Sequence, residues 1–237
     1  MQAPDGRLLL DSVSLRLEEG TTTAVLGRSG SGKTTLLRLV NRMADPSGGT
    51  VFIRGKECEQ HNPIQLRRGM GYVIQETGLF PHFTVARNVG LVPELSGKRI
   101  DDARIGELLE QVGLDAGQFA QRYPHQLSGG QRQRVGLARA LASDPPILLM
   151  DEPFGALDPL TRAEMQDMLR ALLERLKKTV LLVTHDLDEA LYLASRIVLL
   201  DGGRVVTDVA AEDFLRSEIP AVKAYAEAFH RGQKEPQ

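Results

Sequence analysis

Two hydrophobic periods alternate along the 237-residue chain. Leu8 to Leu17 give an apolar triplet, then Val13, Leu15 and Leu17 at every second position, which predicts strands of an antiparallel layer. After the Glu19-Gly20 turn comes the apolar run Ala24–Leu26, and then Leu36, Leu37, Leu39 and Val40 at helical spacing, predicting a strand and a helix over 33–43. Thr50–Arg54 and Met70–Ile74 read as strands, the second closing on Gln75. Between 77 and 97 the pattern loosens around Gly78, Pro81, Pro93 and Gly97, and 101–112 resumes as an amphipathic helix stopped by Gly113. Further helices are predicted from after Ser128-Gly129-Gly130 to Ala142, from Pro159 onward, and over 186–194, 211–216 and 221–229. Ile147–Met150 and Thr179–Val183 are wholly apolar, as strands buried in a parallel sheet are. Arg196–Leu200 and Arg204–Thr207 predict a hairpin across Gly202-Gly203. The expected fold is therefore α/β: a mainly parallel sheet, an N-terminal antiparallel β layer, and a helical subdomain inserted over about residues 84–143.

Composition removes several function classes. A net charge of -2 provides no basic field for nucleic acid. The single Cys58 forms no internal disulfide and suits a reducing cytosol. No apolar run approaches the roughly 18–20 residues that span a bilayer, and the first residues lack the pattern of a signal peptide. Any work at a membrane is expected of a peripheral subunit.

The candidate chemistry starts at Gly27-Arg28-Ser29-Gly30-Ser31-Gly32-Lys33-Thr34, followed by Thr35, which fits G-x-x-x-x-G-K-[ST] with a strand before it and a helix after. Glycines let successive N–H groups point inward at phosphate oxygens, and the helix start adds unpaired donors and a positive dipole end. Lys33 is expected to reach the β- and γ-phosphates and Thr34 to ligate Mg²⁺. Asp151 ends an apolar strand, where a carboxylate can hold Mg²⁺ directly or through water. Glu152, expected on the opposite face of that strand, can orient and deprotonate an attacking water. Ser128-Gly129-Gly130 opens a helix with a hydroxyl and exposed N–H groups, a second anion site. His61, His82, His125 and His230 match no catalytic pattern and read as surface or packing residues.

Five motifs together resemble the ABC ATPases. Leu127-Ser128-Gly129-Gly130-Gln131, followed by Arg132-Gln133-Arg134, looks like their signature, and Pro146 to Pro153 like their Walker B strand with its glutamate. Ala156-Leu157-Asp158 resembles the D-loop, Thr184-His185-Asp186 the switch-histidine loop, and Gln75 stands where the Q-loop does. The resemblance implies an ATPase using ATP and Mg²⁺, with Gln75, Glu152 and His185 catalytic, His185 at the γ-phosphate, Gln75 also near the metal, and Asp158 at the nucleotide. It also implies a head-to-tail dimer with a second copy, in which one chain's signature closes over the other's nucleotide.

Leu39-Val40-Asn41-Arg42-Met43, Gly71 to Gln75, Gly78 to His82 and Val89 to Pro93 are similar to the glycine betaine/choline importer ATPases, although neighbouring importer families share parts of them. That resemblance implies permease subunits, a solute-binding protein and a place on the cytoplasmic face of the cell membrane. It also puts 75–93 in the groove that receives the permease. On this reading residues 1–231 are the nucleotide-binding domain and 232–237 a polar tail, with no room for the CBS domains some relatives append. One departure is Ala3, before Pro4-Asp5-Gly6, where relatives carry an adenine-stacking aromatic. An importer of another small solute, a DNA-acting ABC ATPase and a non-hydrolysing binding module stay open. Only about a hundred residues separate Thr34 from Gln131, without sustained heptads, which counts against the DNA-acting class. Intact Glu152 and His185 count against the non-hydrolysing one.

Overall fold

A computed structural model describes Met1 and residues 9–234, with side chains described as far as Phe229. In chain order the elements are β1 (Thr22–Leu26), α1 (Lys33–Val40), β2 (Phe52–Ile53), β3 (Lys56–Glu57), α2 (Pro63–Arg68), β4 (Met70–Val73), α3 (Val85–Leu95), α4 (Asp102–Gln111), α5 (Ala116–Phe119) and α6 (Gly129–Leu141). They continue with β5 (Ile147–Asp151), α7 (Pro159–Leu176), β6 (Thr179–Thr184), α8 (Leu187–Leu193), β7 (Arg196–Asp201), β8 (Arg204–Ala210), α9 (Ala211–Phe214) and α10 (Pro220–Lys234). They belong to two compact units, one of Met1–Pro63 with Thr179–Gln237, the other of Ile64–Lys178.

The first unit is built on β1. Its five residues are all buried, and β6 and β7 flank it in parallel, with Leu26 opposite both Thr184 and Leu199. Such strands are covered on both faces, which explains why they read as unbroken apolar runs rather than alternating ones. β8 returns antiparallel to β7 through Gly202 and Gly203, at φ 54° and 79°. Positive φ at both central residues is what a tight turn matching strand twist requires.

Of the strands predicted over Leu8–Leu17, Leu8 lies outside the described residues and none forms over the rest. Residues 9–17 hold no strand, although Val13, Leu15 and Leu17 are half-buried while Ser12, Ser14 and Arg16 are exposed. A period of two reports an extended backbone; a ladder needs a hydrogen-bonded neighbour as well. The antiparallel layer is reduced, among the described residues, to the hairpin β2–β3. Ala3 lies outside the described residues, as do 235–237; α10 carries 232–234 of the expected tail in helix.

In the second unit β4 and β5 pair in parallel, Val73 opposite Met150. α6 runs so close to β4 that a Cβ on Gly71 would stand 2.5 Å from the Ala140 carbonyl oxygen, so only glycine fits. α3 falls where the sequence pattern loosens. Thr84 caps it by accepting from the Arg87 amide at 3.3 Å, and Val85, Val89 and Pro93, every fourth residue, are its buried stripe. Pro93 and Gly90 hid this helix in the sequence. α7 buries Met165, Leu169, Leu172 and Leu173 on one face and ends at Lys177 in the left-handed region, φ 49°.

Candidate functional site

The first unit holds the phosphate-loop candidates. Gly27 follows β1 directly, and a Cβ there would stand 2.5 Å from Ser31 Oγ and collide with the Leu200 carbonyl oxygen. Gly30 and Gly32 take φ 79° and 105°, and Gly32 backs onto Leu9 and Leu10, leaving a Cβ only 2.5 Å from the Leu9 oxygen. The loop therefore curls without side chains in its way, as a phosphate cradle must. Lys33, only 5% exposed, donates from Nζ to the carbonyls of Gly27 at 2.8 Å and Arg28 at 3.0 Å. Ser31 Oγ is buried and has no hydrogen-bond partner among the described residues. A buried orphan hydroxyl is costly unless a ligand satisfies it, so the loop's donors fit a phosphate anion. Arg28, Ser29 and Gly30 are exposed at its tip, and Thr34 and Thr35 lie half-buried in the first turn of α1.

Leu26 stands opposite Thr184, so Gly27 and His185, the next residue of each strand, leave β1 and β6 at the same register and emerge at the same edge of their sheet. Its surroundings are tied down on each side. The buried Thr184 hydroxyl donates to Glu189 Oε2 at 3.1 Å and accepts from the Asp186 amide at 3.0 Å. Asp186 caps α8 by accepting from the Glu189 amide, and Tyr225 Oη donates to the His185 carbonyl at 2.9 Å. The imidazole itself is exposed.

The other candidates belong to the second unit. Asp151 is the last residue of β5, as expected. Glu152 differs from its expectation, because it lies past the strand end at φ 44° and strand alternation does not aim it. A non-glycine residue in the left-handed region is strained, and such strain gathers at functional positions. A Cβ on Gly155 would stand 3.7 Å from Gln75 Nε2 and 3.8 Å from Glu152 Oε2, so both side chains converge on that glycine.

Ser128 caps α6, accepting from the Gln131 amide at 3.2 Å while Gln131 Oε1 accepts from the Ser128 amide at 2.9 Å. This reciprocal box orients the first turn and leaves the Ser128 side chain exposed. Behind it, a Cβ on Gly130 would meet Thr161 at 2.5 Å and one on Gly129 would lie 3.8 Å from Leu157. Asp158 caps α7 through the Thr161 amide at 3.1 Å, and that amide holds its carboxyl below the usual carboxylate range. The structure thus joins the signature to Asp158, and Gln75 to Glu152.

Sequence reasoning missed the supports. Asn88, fully buried, accepts from the Phe80 amide at 2.8 Å and donates to the carbonyls of Phe80, Phe83 and Thr84 at 3.0–3.2 Å. Asn88→Ala takes this partner from the Phe80 amide and the Phe83 carbonyl, while the Phe80 and Thr84 carbonyls keep backbone donors, and is expected to cost about 1–3 kcal/mol; urea unfolding should show a lower midpoint with the slope unchanged. Gln133 and Arg139, both reaching the Gln75 segment, were missed as well.

With this geometry in hand, similarity to known proteins is informative. The family described as ABC transporter matches residues 10–155. The chain is 46% identical over 216 residues to the choline transport ATP-binding protein OpuBA of Bacillus subtilis, covering 90% of this chain and 56% of that protein. It is 50% identical over 200 residues to the glycine betaine uptake system ATP-binding protein YehX of Escherichia coli, covering 83% and 64%. The chain therefore spans between about half and two thirds of these curated relatives. A dimeric post-hydrolysis structure of the ATP-binding cassette MJ0796, bound to ADP and Pi, superposes with TM-score 0.76 at 36% identity, covering 86% of this chain and 90% of that one.

Proposed function

The chain belongs to the ABC transporter family, and from that premise we propose that it is the ATP-binding and hydrolysing subunit of an importer for small osmoprotectants of the glycine betaine or choline type. The carrying observation is the placement of Gly27 and His185 together at the carboxyl edge of β1 and β6, where open α/β sheets take their ligands. The names of OpuBA and YehX support the solute class.

On this reading the amides of Gly27 to Thr35 and the Lys33 ammonium hold the triphosphate. The family resemblance assigns Thr34, Asp151 and Gln75 to Mg²⁺, and their hydroxyl, carboxylate and amide oxygens are donors of the kind that would suit a hard cation. The ion neutralises phosphate charge. Glu152 accepts the proton of the attacking water, and His185 donates to the γ-phosphate oxygens. Ser128 to Gln131 of a second copy, with Asp158, close over the nucleotide, so ATP binding clamps two chains head to tail and hydrolysis releases them.

No helix among the described residues is long and apolar enough to cross a membrane; the proposed place is peripheral, on the cytoplasmic face, against permease subunits fed by a solute-binding protein. The proposed permease contact is the ring cluster of Phe80, His82 and Phe83. Their centroids lie 4.6–6.1 Å apart, Arg87 stacks on Phe83 at 4.0 Å, and Phe80 stays 42% exposed. The test is a pull-down of the tagged Glu152→Gln chain from native membranes with Mg-ATP, read by mass spectrometry. A polytopic permease is expected, and Phe80→Ala, introduced into the same chain, should lower its recovery while ATP binding holds. Soluble or DNA-bound partners alone would overturn the transporter reading and leave the ATPase reading in place.

A further inference from the structure

Residues 74–84 contain no strand or helix, yet this segment carries Gln75. Its carbonyls need partners that a ladder would otherwise supply. Three of them are met by one face of α6, at three-residue spacing. Gln133 Nε2 donates to the Gln75 carbonyl at 3.1 Å. Arg139 donates from Nη1 to the Gly78 carbonyl at 2.7 Å and from Nη2 to the Thr77 carbonyl at 2.6 Å. Between these two side chains comes Gly136, where a Cβ would lie 3.8 Å from the Thr77 oxygen. Gly78, at φ 55°, turns the chain so that two consecutive carbonyls reach one guanidinium, and a Cβ there would stand 2.5 Å from Ile74 Cδ1. Burial lowers the Arg139 pKa, so this cation bears a desolvation cost that the two carbonyl dipoles offset. A guanidinium presents two N–H donors at fixed spacing in one rigid plane, one for each carbonyl, whereas a lysine brings a single donor atom on a flexible stem and fixes the pair less tightly.

We propose that Arg139 is a positioning residue for ATP hydrolysis: it locks the backbone of Thr77 and Gly78 onto the signature-bearing helix and so sets where the Gln75 amide stands beside Glu152. The proposal rests on the catalytic reading of Gln75 and deepens it, because α6 begins at the Ser128–Gln131 box. The signature turn and the Gln75 segment of one chain then form a single piece. Any shift of α6 on dimer closure is carried to Gln75 through Arg139 and Gln133.

The experiment compares ATPase kinetics of the full chain for wild type, Arg139→Lys, Gln75→Ala and the double variant, with thermal unfolding alongside. Arg139→Lys should lower kcat by about 10–100-fold, the range set by losing a charge-assisted hydrogen bond, with KM for ATP within about twofold. The double variant should match Gln75→Ala alone, since a misplaced amide and a missing one fail alike. Gln133→Met removes the neighbouring contact and should give the same pattern more weakly; it carries the test if Arg139→Lys does not fold. A variant that lowers Tm but keeps kcat would overturn the proposal, as would losses that multiply in the double variant while Gln75→Ala alone is slow. Wild-type turnover by Gln75→Ala would remove the catalytic reading of Gln75 itself, and the proposal with it.

Discussion

Glu152→Gln should abolish turnover while leaving ATP bound. Replacing a carboxylate by its amide keeps size and removes the proton acceptor, and a positioned general base contributes about 10²–10⁴-fold to rate. The substitution is gentle on the fold, because the strain at φ 44° belongs to the backbone and is the same for either side chain. ATP contacts assigned to Lys33 and the loop amides are untouched, so the closed dimer should accumulate instead of cycling. Phosphate release should fall by at least a hundredfold, and light scattering with Mg-ATP should show a dimer where wild type shows monomer and dimer exchanging. Wild-type-like turnover would sink the assignment of Glu152 as base.

Ser128→Arg should separate binding from closure. The Ser128 hydroxyl sits exposed at the start of α6 and accepts from the Gln131 amide. Its loss costs about 1 kcal/mol of cap, and packing of Gly129 and Gly130 against Leu157 and Thr161 keeps the turn in place. An arginine projecting from that turn blocks the approach of a second nucleotide-loaded chain. ATP affinity of the monomer should stay within a few-fold of wild type, whereas ATP-dependent dimerisation and hydrolysis should both fall by a hundredfold or more. Ser128→Ala serves as control, losing the cap without the bulk, and should dimerise. An unimpaired Ser128→Arg dimer would remove the signature from the trans site.

How much of this was readable in advance follows the reach of each interaction. Caps are local: Ser128, Asp158 and Asp186 each meet an amide three residues on, and each stands before an apolar-periodic run. The phosphate loop is equally local, its glycines and Lys33 lying within eight residues. α3 was obscured because Gly90 and Pro93 are punctuation in a sequence, while in the structure Val85, Val89 and Pro93 make a buried stripe that outweighs them. Residues 9–17 erred the other way, showing the period of a strand where no ladder forms among the described residues.

The sequence by itself determined the α/β plan, the order of strands and helices around Gly27–Thr35, and the identity of the motif residues, since hydrophobic period, glycine at tight turns and i to i+3 capping act within a few residues. Tertiary structure alone decided that Gln75 and Glu152 converge on Gly155, that Tyr225 holds the His185 carbonyl, and that Arg139 and Gln133 hold the Gln75 segment from 58 to 62 positions away. An arginine on a signature helix looks like solvent-facing charge until the chain brings it two orphan carbonyls, and no period in the sequence records where an irregular segment will need them.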